Sequence, residues 1–360
     1  MLYINGRFLT QEMTGVQRFA EEISRQLNKI RDDVVILAPK GILNNAALQE
    51  FNIEIIGDKK GHYWEQVELP LALKNKGSPL LLNLCSTAPA FYKNQIVTHH
   101  DVTYKRYPAS FSKKFRFVYG VLIPRMLKNS RHLLTVSEFS KGEIHSVFGY
   151  PKDNISIIYN AVSDAFSKAE GAHSHNMQGS YLLAVSSPNF HKNFHGMLSA
   201  FEALSKEYDV SLKIIGKTAV SFSQQDFSTL LSQSDKVEFM GRVEDNELIT
   251  LYQNALAFVF PSFYEGFGIP PLEAQSCGCP VISSNTASMP EVLQDSVIYF
   301  DPNNIAMISE AMVKIVSDQA LRSELAKKGS ENVKRFSWNS SAQKISTIVD
   351  SFSTDQAITR

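Results

Sequence analysis

The stretch "PSFYEGFGIPPLEAQSCGCPVISSN", Pro261–Asn285, follows one short apolar run, "LAFVFP", and runs into another, "PVISS". Both runs have the length and composition of buried β-strands, and Pro270 or Pro271 suits the first turn of a helix between them. Strand, helix and strand in this order form the repeating unit of a parallel sheet. The stretch therefore predicts an α/β fold. Its carboxylates, Glu265 and Glu273, stand after a strand end, where such folds bind ligands.

The same alternation extends over most of the chain. The first series of predicted buried strands is "LYIN", "VVILA", "IEII", "LLLNL", "IVTH", "HLLTV" and "ISIIY". The second series is "YLLAVS", "LKIIG", "VEFMG", "LAFVFP", "PVISS" and "VIYF". Helical patterns separate many of these runs; one has apolar residues at Val16, Phe19, Ala20, Ile23 and Leu27. We predict two Rossmann-like, doubly wound domains facing across a cleft.

The polar, glycine-containing segment 167–180 interrupts the pattern and is predicted to be a linker. The predicted domains are residues 1–166 and 181–335, and the helical pattern of 336–360 forms a final segment. A chain of 360 residues is long enough for two domains with substantial cores.

Composition excludes several classes of protein. Lys+Arg and Asp+Glu both total 36, so the overall charge gives no reason to expect a nucleic-acid partner. Cys85, Cys277 and Cys279 are too few for a disulfide framework or a tetrahedral zinc site. The N-terminus lacks the pattern of a secretion signal, and no apolar run reaches the roughly 18 to 20 residues that a membrane helix needs. We expect a cytoplasmic protein, at most peripheral on the cytoplasmic face of the inner membrane.

Polar residues stand after several predicted strands. Gly15 precedes an amphipathic helix, whose free N–H groups could bind an anion or simply carry an ordinary cap. His100 and Asp101 follow "IVTH", where they could serve a ligand or the core. His191 and Lys192 precede a helix, a combination of cation and helix N-terminus that suits a phosphate; a solvated lysine is the alternative.

The opening stretch adds groups that suit a polyol. Gly266 and Gly268 permit close approach of the backbone to a ligand. Carboxylates such as Glu265 accept hydrogen bonds from vicinal hydroxyls. Glu273 is expected inside the first turn of the helix, where an acid is favoured even without a ligand. Together with the phosphate-binding groups, these residues predict a polyol that carries an anion.

These motifs resemble the retaining nucleotide-sugar glycosyltransferases of family 4, which have the GT-B fold. The resemblance rests above all on "EGFGIPPLE". Its other motifs extend almost from end to end of the chain and stand in the order typical of the family: "TGVQR", "HHDVTY", "TVSEFSK", "SSPNFHKN" and, after "EGFGIPPLE", "SMPEV". The start of the chain is most similar to mannosyl- and rhamnosyltransferases of bacterial O-antigen and polysaccharide assembly. In relatives the C-terminal helix crosses back to the first domain.

The resemblance implies a role for each matched residue. Glu273 would hold the nucleotide ribose, and Glu265 with the amides of Gly266, Phe267 and Gly268 would contact the donor sugar. Lys192 matches the lysine on the diphosphate, whereas His191 stands where relatives usually have arginine. Gly15 would contact the diphosphate or the acceptor, and the helix start after Ser187 would contact the leaving phosphate. His100 would contact the donor sugar. Arg242 and Val243 would contact the base.

The expected reaction transfers mannose from GDP-mannose to a saccharide acceptor, often lipid-linked in relatives, with retention by front-face attack. Lys192 and helix N-termini would stabilise the leaving group, Glu265 would hold the sugar, and His100 or Asp101 would orient it. No cofactor or metal is expected, since no Asp-x-Asp motif is present. Residues 102–137 contain eight Lys/Arg, no Asp or Glu, and interleaved aromatics, which could contact an anionic membrane or form a solvated face.

The sequence is also compatible with other functions. A dTDP-rhamnose or UDP-sugar could replace GDP-mannose. The same fold serves sugar-nucleotide epimerases and sugar-phosphate synthases, and a non-catalytic carbohydrate-binding partner is a further alternative. A nicotinamide enzyme is disfavoured because no Gly-x-Gly-x-x-Gly follows the first strand.

Overall fold

Two parallel sheets with covering helices make up the described part of the chain in this computed structural model. The structure describes residues 1–43, 47–167, 180–186, 189–216 and 235–358. Most of the predicted linker 167–180 and the predicted site residue Ser187 therefore lie outside the described residues. The α/β prediction is confirmed. Every pair of neighbouring strands described in the two sheets is parallel.

The chain divides into two compact units. The first comprises Met1–Arg106, Phe111–Asn160 and Ser337–Arg360, and the second comprises Tyr107–Ser110 and Ala161–Phe336. The change after Asn160 comes before the predicted limit at residue 166. The physical reason is that Phe166 is fully buried and packs edge-on against Tyr252 of the second unit.

The first sheet has the order β3-β2-β1-β4-β5-β6-β7. Its strands β1 to β7 are Leu2–Asn5, Val34–Ala38, Ile53–Ile55, Leu81–Asn83, Gln95–Thr98, His132–Thr135 and Ile155–Ile157. The helices of the first unit, α1 to α7, are Gly15–Ile30, Ala47–Glu50, Gly61–Tyr63, Leu69–Asn75, Thr103–Arg106, Lys113–Asn129 and Glu138–Phe148. A π-helical turn, Trp64–Glu68, joins α3 to α4.

The second sheet has the order β10-β9-β8-β11-β12-β13. Its strands β8 to β13 are Tyr181–Ser186, Ser211–Gly216, Val237–Gly241, Ala257–Phe260, Val281–Ser284 and Ile298–Phe300. Described helices of the second unit, α8 to α14, are Asp164–Ser167, Phe194–Glu207, Asp245–Asn254, Ile269–Ser276, Met289–Leu293, Ile305–Ser317 and Gln319–Val333. Its core packs the apolar faces of α9 and α13 against the strands.

Apolar periodicity locates the elements well, but it misjudges one edge strand. The buried face of α1 contains Phe19, Ala20, Ile23 and Leu27, as predicted. In contrast, β3 was predicted to be buried and is not, since Ile55 is 46% exposed. The reason is its position at the edge of the sheet, with β2 as its strand neighbour.

The last helix, α15 (Trp338–Ile358), belongs to the first unit, which confirms the predicted return of the chain. The Trp338 ring meets Phe19 of α1 edge-on, with ring centres 5.8 Å apart. Arg31 Nη1 lies 2.6 Å from a carboxylate oxygen of Asp350, and Ser341 Oγ donates to the carbonyl of Tyr159. Among the described helices, none is both long and apolar enough to cross a membrane.

Candidate functional site

The second sheet brings Lys192 and Glu265 together at its switch point. The chain proceeds outward from β8 through β9 to β10, and then restarts on the other side of β8 with β11. Ligands of open parallel sheets bind at the carboxyl ends of the two strands where the order reverses. Lys192 follows β8 and Glu265 follows β11, and Lys192 Nζ lies 2.5 Å from Glu265 Oε1. The two predicted donor-binding side chains therefore form an ion pair.

Backbone contacts hold this ion pair in place. The amide of Phe263 donates to the carbonyl of His191 at 2.8 Å, which ties the loop after β11 to the turn after β8. Ser288 Oγ donates to the carbonyl of Glu265 at 2.9 Å, and Ser288 itself is fully buried. The side chains remain accessible, since Lys192 is 25% and Glu265 16% exposed. These hydrogen bonds hold the two loops in place, while the side chains of the pair remain accessible to a ligand.

Gly268 makes the turn after Glu265 possible. It precedes α11 and has a φ of +93°. This value lies in the left-handed region, which residues other than glycine adopt only with strain. A Cβ atom at this position would lie 2.4 Å from the terminal methyl carbon of Met289. Phe267 is buried and meets Phe336 edge-on, which anchors the turn between Gly266 and Gly268.

The prediction that Glu273 lies inside the first turn of its helix is wrong. Helix α11 begins at Ile269, so Glu273 is in its second turn, and the first turn contains no acid. Pro270 does lie in the first turn, as predicted. Glu273 is only 9% exposed and lies near Tyr252, whose pKa is raised first by burial and further by the Glu273 charge. Helix-end electrostatics therefore does not account for this nearly buried carboxylate.

His191 is engaged within the second unit. Its Nδ1 lies 3.0 Å from Ser110 Oγ, and its ring lies beside that of Tyr107. Tyr107 also contacts the ring of Tyr264. This segment, Tyr107–Ser110, comes from a distant part of the chain, so the contact could not be predicted from the sequence around His191. The ring is buried, and a contribution of His191 to phosphate binding stays a prediction.

Two other predicted positions lie on loops or helix ends. Arg242 is exposed and Val243 half-buried, directly after β10. Gly15 is the exposed first residue of α1, as predicted from its position before the amphipathic pattern. Their contacts with the base and with the diphosphate or acceptor remain predictions.

The histidines after β5 are more deeply buried than their position at a strand end indicated. His100 Nε2 donates to the carbonyl of Leu84 at 3.0 Å, and burial lowers the pKa of His100, which favours the neutral ring. His99 has no exposed surface and contacts the hydroxyl of Tyr104; burial lowers its pKa to about 4. Asp101 is half-buried and accepts a hydrogen bond from the Thr103 amide at 2.8 Å. His99 is therefore a core residue, and the roles of His100 and Asp101 toward a sugar stay predictions.

A buried charge network at the switch point of the first sheet was not predicted. Asn5 ends β1 and Asn83 ends β4, the neighbouring strands between which the order reverses, and Asn5 Nδ2 donates to Asn83 Oδ1 at 2.9 Å. Arg7 Nε donates to Glu65 Oε1 at 3.0 Å, and Thr87 Oγ1 donates to Glu65 Oε2 at 2.9 Å. Polar residues after the first strand, "NGR", were the available signal, but Glu65 stands 58 residues from Arg7.

Among the described residues, neither the cysteines nor the side chains that could bind a metal ion form a further site. Cys85, Cys277 and Cys279 are free and buried. Within the described ranges, no group of three or more His, Cys, Asp or Glu side chains is arranged to hold a metal ion. A reaction that needs neither metal nor cofactor stays a prediction.

Solved structures show the same fold over nearly the whole chain. A glycosyltransferase from Rickettsia africae is 17% identical with a TM-score of 0.73, covering 98% of this chain and 97% of its own. An Anabaena protein solved with UDP and glucose is 15% identical with a TM-score of 0.72, covering 97% of this chain and 99% of its own. The architecture is that of the GT-B glycosyltransferases.

Sequence relatives define the family. Residues 13–166 match glycosyltransferase family 4, and residues 166–332 match the glycosyl transferases of group 1. An O-antigen chain mannosyltransferase of Salmonella typhimurium is 35% identical over 67% of this chain and 65% of its own length. O-antigen chain mannosyltransferase B of Escherichia coli is 32% identical over 69% of this chain and 70% of its own. The chain belongs to glycosyltransferase family 4.

Proposed function

We propose that the protein transfers mannose from GDP-mannose to a saccharide acceptor, with retention of the anomeric configuration, in the synthesis of O-antigen or a related surface polysaccharide. The main support is the Lys192–Glu265 pair at the switch point of the second sheet, where a cation for a diphosphate and an acceptor for sugar hydroxyls stand 2.5 Å apart. The mannosyltransferase names of two relatives support the choice of sugar. The acceptor is proposed to be lipid-linked.

Donor binding would change the partner of Lys192. In the free protein its ammonium neutralises Glu265; with a donor bound, the diphosphate would take the ammonium and sugar hydroxyls would take the carboxylate. Both groups keep a charge-assisted partner in both states, so little desolvation energy is lost in the exchange. During transfer, negative charge grows on the leaving diphosphate, and a fixed ammonium stabilises that charge more than it stabilises the bound donor.

The proton of the attacking hydroxyl would pass to the leaving phosphate oxygen on the same face of the sugar. The bond from the anomeric carbon to that oxygen breaks as the bond to the acceptor oxygen forms, and the products are the glycoside and GDP. This front-face route requires no protein nucleophile. The roles of His100 and Asp101 in orienting the sugar stay predictions.

A thermal-shift screen tests the donor. GDP-mannose at one hundred times its Kd should stabilise the protein by about 2.7 kcal/mol, because it binds the native state. UDP-glucose and dTDP-rhamnose at equal concentration should stabilise it much less. If either of these produced the larger shift, it would be the donor instead of GDP-mannose. If none of the nucleotide sugars produced a shift, the proposed function would be contradicted.

The variant Glu273→Gln extends this test. It should weaken GDP-mannose binding roughly 10- to 100-fold, because an ionised acceptor of ribose hydroxyls is lost. Glu310→Gln removes the same charge from an exposed position of α13 and serves as the control. Equal affinity in Glu273→Gln and the control would contradict the ribose role.

A second part of the proposal concerns the basic stretch 102–137. Helix α6 exposes Lys113, Lys114, Arg116, Arg125 and Lys128, and among the described residues none of these forms an ion pair. Phe117 is 73% exposed on the same helix, whereas Phe115 and Tyr119 stack on each other. Helix α6 thus combines these five exposed cations with exposed apolar surface.

Phe91, which the sequence analysis did not single out, extends this surface. It is 77% exposed, and the carbonyl of its neighbour Ala90 accepts a hydrogen bond from Asn129 at the end of α6. We propose that α6 and Phe91 rest on an anionic membrane, with the cations at the headgroups and the rings below them.

Vesicle sedimentation tests the membrane contact. The double variant Arg125→Gln/Lys128→Gln should bind phosphatidylglycerol vesicles roughly 30-fold more weakly, at about 1 kcal/mol for each cation near the surface. The double variant Lys206→Gln/Lys334→Gln removes two exposed cations from the second unit and should bind like the unaltered protein. Equal sedimentation with phosphatidylglycerol and phosphatidylcholine vesicles would contradict the contact.

A further inference from the structure

The buried network at the switch point of the first sheet carries one more side chain, His62. Its Nδ1 lies 3.4 Å from Glu65 Oε2, and its side chain is 40% exposed, whereas Glu65 has no exposed surface. Burial by itself would raise the pKa of Glu65, but the charge of Arg7 and the hydrogen bonds from His62 and Thr87 outweigh it and lower the pKa to about 2. Glu65 is therefore an ionised carboxylate beneath a half-exposed imidazole.

This arrangement selects one tautomer of the neutral imidazole. An ionised carboxylate only accepts hydrogen bonds, so the neutral ring carries its proton on Nδ1. The other nitrogen, Nε2, then has a free lone pair and can accept a hydrogen bond. The pair Glu65–His62 thus presents a defined acceptor atom on a partly exposed ring.

The position of His62 is fixed from both sides along the chain. Trp64 is fully buried and its Nε1 donates to the carbonyl of Ile56 at 2.7 Å. The amide of Lys59 donates to a carboxylate oxygen of Glu68 at 3.0 Å. Trp64 and Glu68 are the first and last residues of the π-helical turn, an uncommon conformation that is frequent at functional sites.

The charge balance of the network favours a neutral ligand. Arg7 lies within hydrogen-bond distance of both Glu65 and Thr87, and its charge is compensated by Glu65. Its guanidinium is therefore committed to the network and is not left over for a phosphate. The network offers a lone pair on a partly exposed imidazole, which suits a hydroxyl donor.

We infer that His62 accepts a hydrogen bond from a hydroxyl group of the saccharide acceptor, with Glu65 as the positioning residue. This inference rests on the proposed glycosyl transfer and adds a specificity-determining residue on the first unit. Glu65 acts through His62: it fixes the tautomer and the orientation of the ring. The other possibility, that the contact of His62 with Glu65 is only structural, predicts the same tautomer but no effect on the acceptor.

The first experiment measures the tautomer. Long-range ¹H–¹⁵N spectra of the histidine-labelled protein, with His62→Ala to assign the signal, should show His62 protonated on Nδ1 in its neutral form. Glu65→Gln should weaken this preference, because an amide can also donate to the ring. A neutral His62 protonated on Nε2 in the unaltered protein would overturn the inference, and this result requires no acceptor.

The second experiment separates acceptor binding from donor binding. With GDP-mannose as donor and a series of octyl glycosides as acceptors, His62→Ala should raise the acceptor KM about tenfold, the effect of losing one hydrogen bond. Affinity for GDP and slow hydrolysis of GDP-mannose by water should change less than about twofold. His145→Ala removes an exposed histidine elsewhere on the first unit and is the matched control.

The outcomes distinguish this inference from the proposed function. An acceptor KM in His62→Ala equal to that of the control, with transfer intact, would overturn the role of His62 and leave the glycosyltransferase proposal standing. A protein that binds no nucleotide sugar would instead contradict the proposed function, while the tautomer would still report whether Glu65 positions His62.

Discussion

Replacing Lys192 by glutamine is expected to reduce kcat for glycosyl transfer by about 100- to 1,000-fold, the effect of losing one preorganised group that stabilises charge in the transition state. The change also leaves the Glu265 carboxylate without its cation, 2.5 Å from the former ammonium, where it would repel the donor diphosphate. Initial rates of transfer from GDP-mannose and thermal unfolding of the free protein are the two measurements. Unfolding should change little, since the side chain is partly exposed and its pair contributes little to stability.

Two further variants make this test specific. Lys213→Gln removes a lysine of the same unit with the same 25% exposure, paired with Glu238 on the neighbouring strand, and should leave the rate almost unchanged. The double variant Lys192→Gln/Glu265→Gln removes the repulsion, so it should bind the donor better than Lys192→Gln but transfer no faster than Glu265→Gln. A Lys192→Gln protein with at least half the original rate would exclude Lys192 as the leaving-group cation.

The second large effect concerns stability. Glu65→Ala should destabilise the first unit by about 3–5 kcal/mol, because it leaves the buried Arg7 guanidinium without its counter-charge. Both tryptophans of the chain, Trp64 and Trp338, are buried in this unit, so tryptophan fluorescence during urea unfolding reports on it. We expect a lower urea midpoint for this transition.

The control removes both charges together. Arg7→Met/Glu65→Leu replaces the pair by apolar side chains and should recover most of the lost stability, since no unpaired charge remains in the interior. If Glu65→Ala unfolded at the same urea concentration as the unaltered protein, the buried pair would not stabilise this unit.

The same carboxylate gives the first unit a defined acid sensitivity. The pKa of Glu65 is lowered from its ordinary value of 4.5 to about 2, so its contribution to stability is fully present above about pH 4.5. That contribution is lost progressively as the pH falls towards 2, because the unfolded chain then binds a proton more readily than the folded one. Glu65→Gln should flatten the pH dependence of tryptophan-monitored unfolding in this window.

The sequence predicted most strands and their parallel order because each strand is a short apolar run between helical patterns. It could not distinguish the edge strand β3 from central strands, since the run "IEII" has no feature that records its neighbours. The turn at Gly268 was predictable because its left-handed backbone strains any residue that has a side chain. The start of the following helix was not, since either of two adjacent prolines could occupy the first turn.

Contacts between distant segments account for what the sequence did not predict. In the sequence, Arg7 and Glu65 are separated by the strands β2 and β3, and no apolar periodicity connects the two residues. The contact of His191 with Ser110 has the same origin. Lys192 and Glu265 lie side by side because the strand order of this fold brings the ends of β8 and β11 together; that both serve one ligand stays a prediction.

The division of the chain into its two units limits how relatives could be recombined. Tyr107–Ser110 belongs to the second unit although the chain on both sides of it belongs to the first, and the final helix returns to the first unit. In a chimera joined only at residue 160, the terminal helix would come from a different protein than the rest of the first unit. Residues 107–110 would likewise come from a different protein than the rest of the second unit. Transplanting the whole second unit requires residues 107–110 together with 161–336, so the two compact units of this chain are not two continuous halves of its sequence.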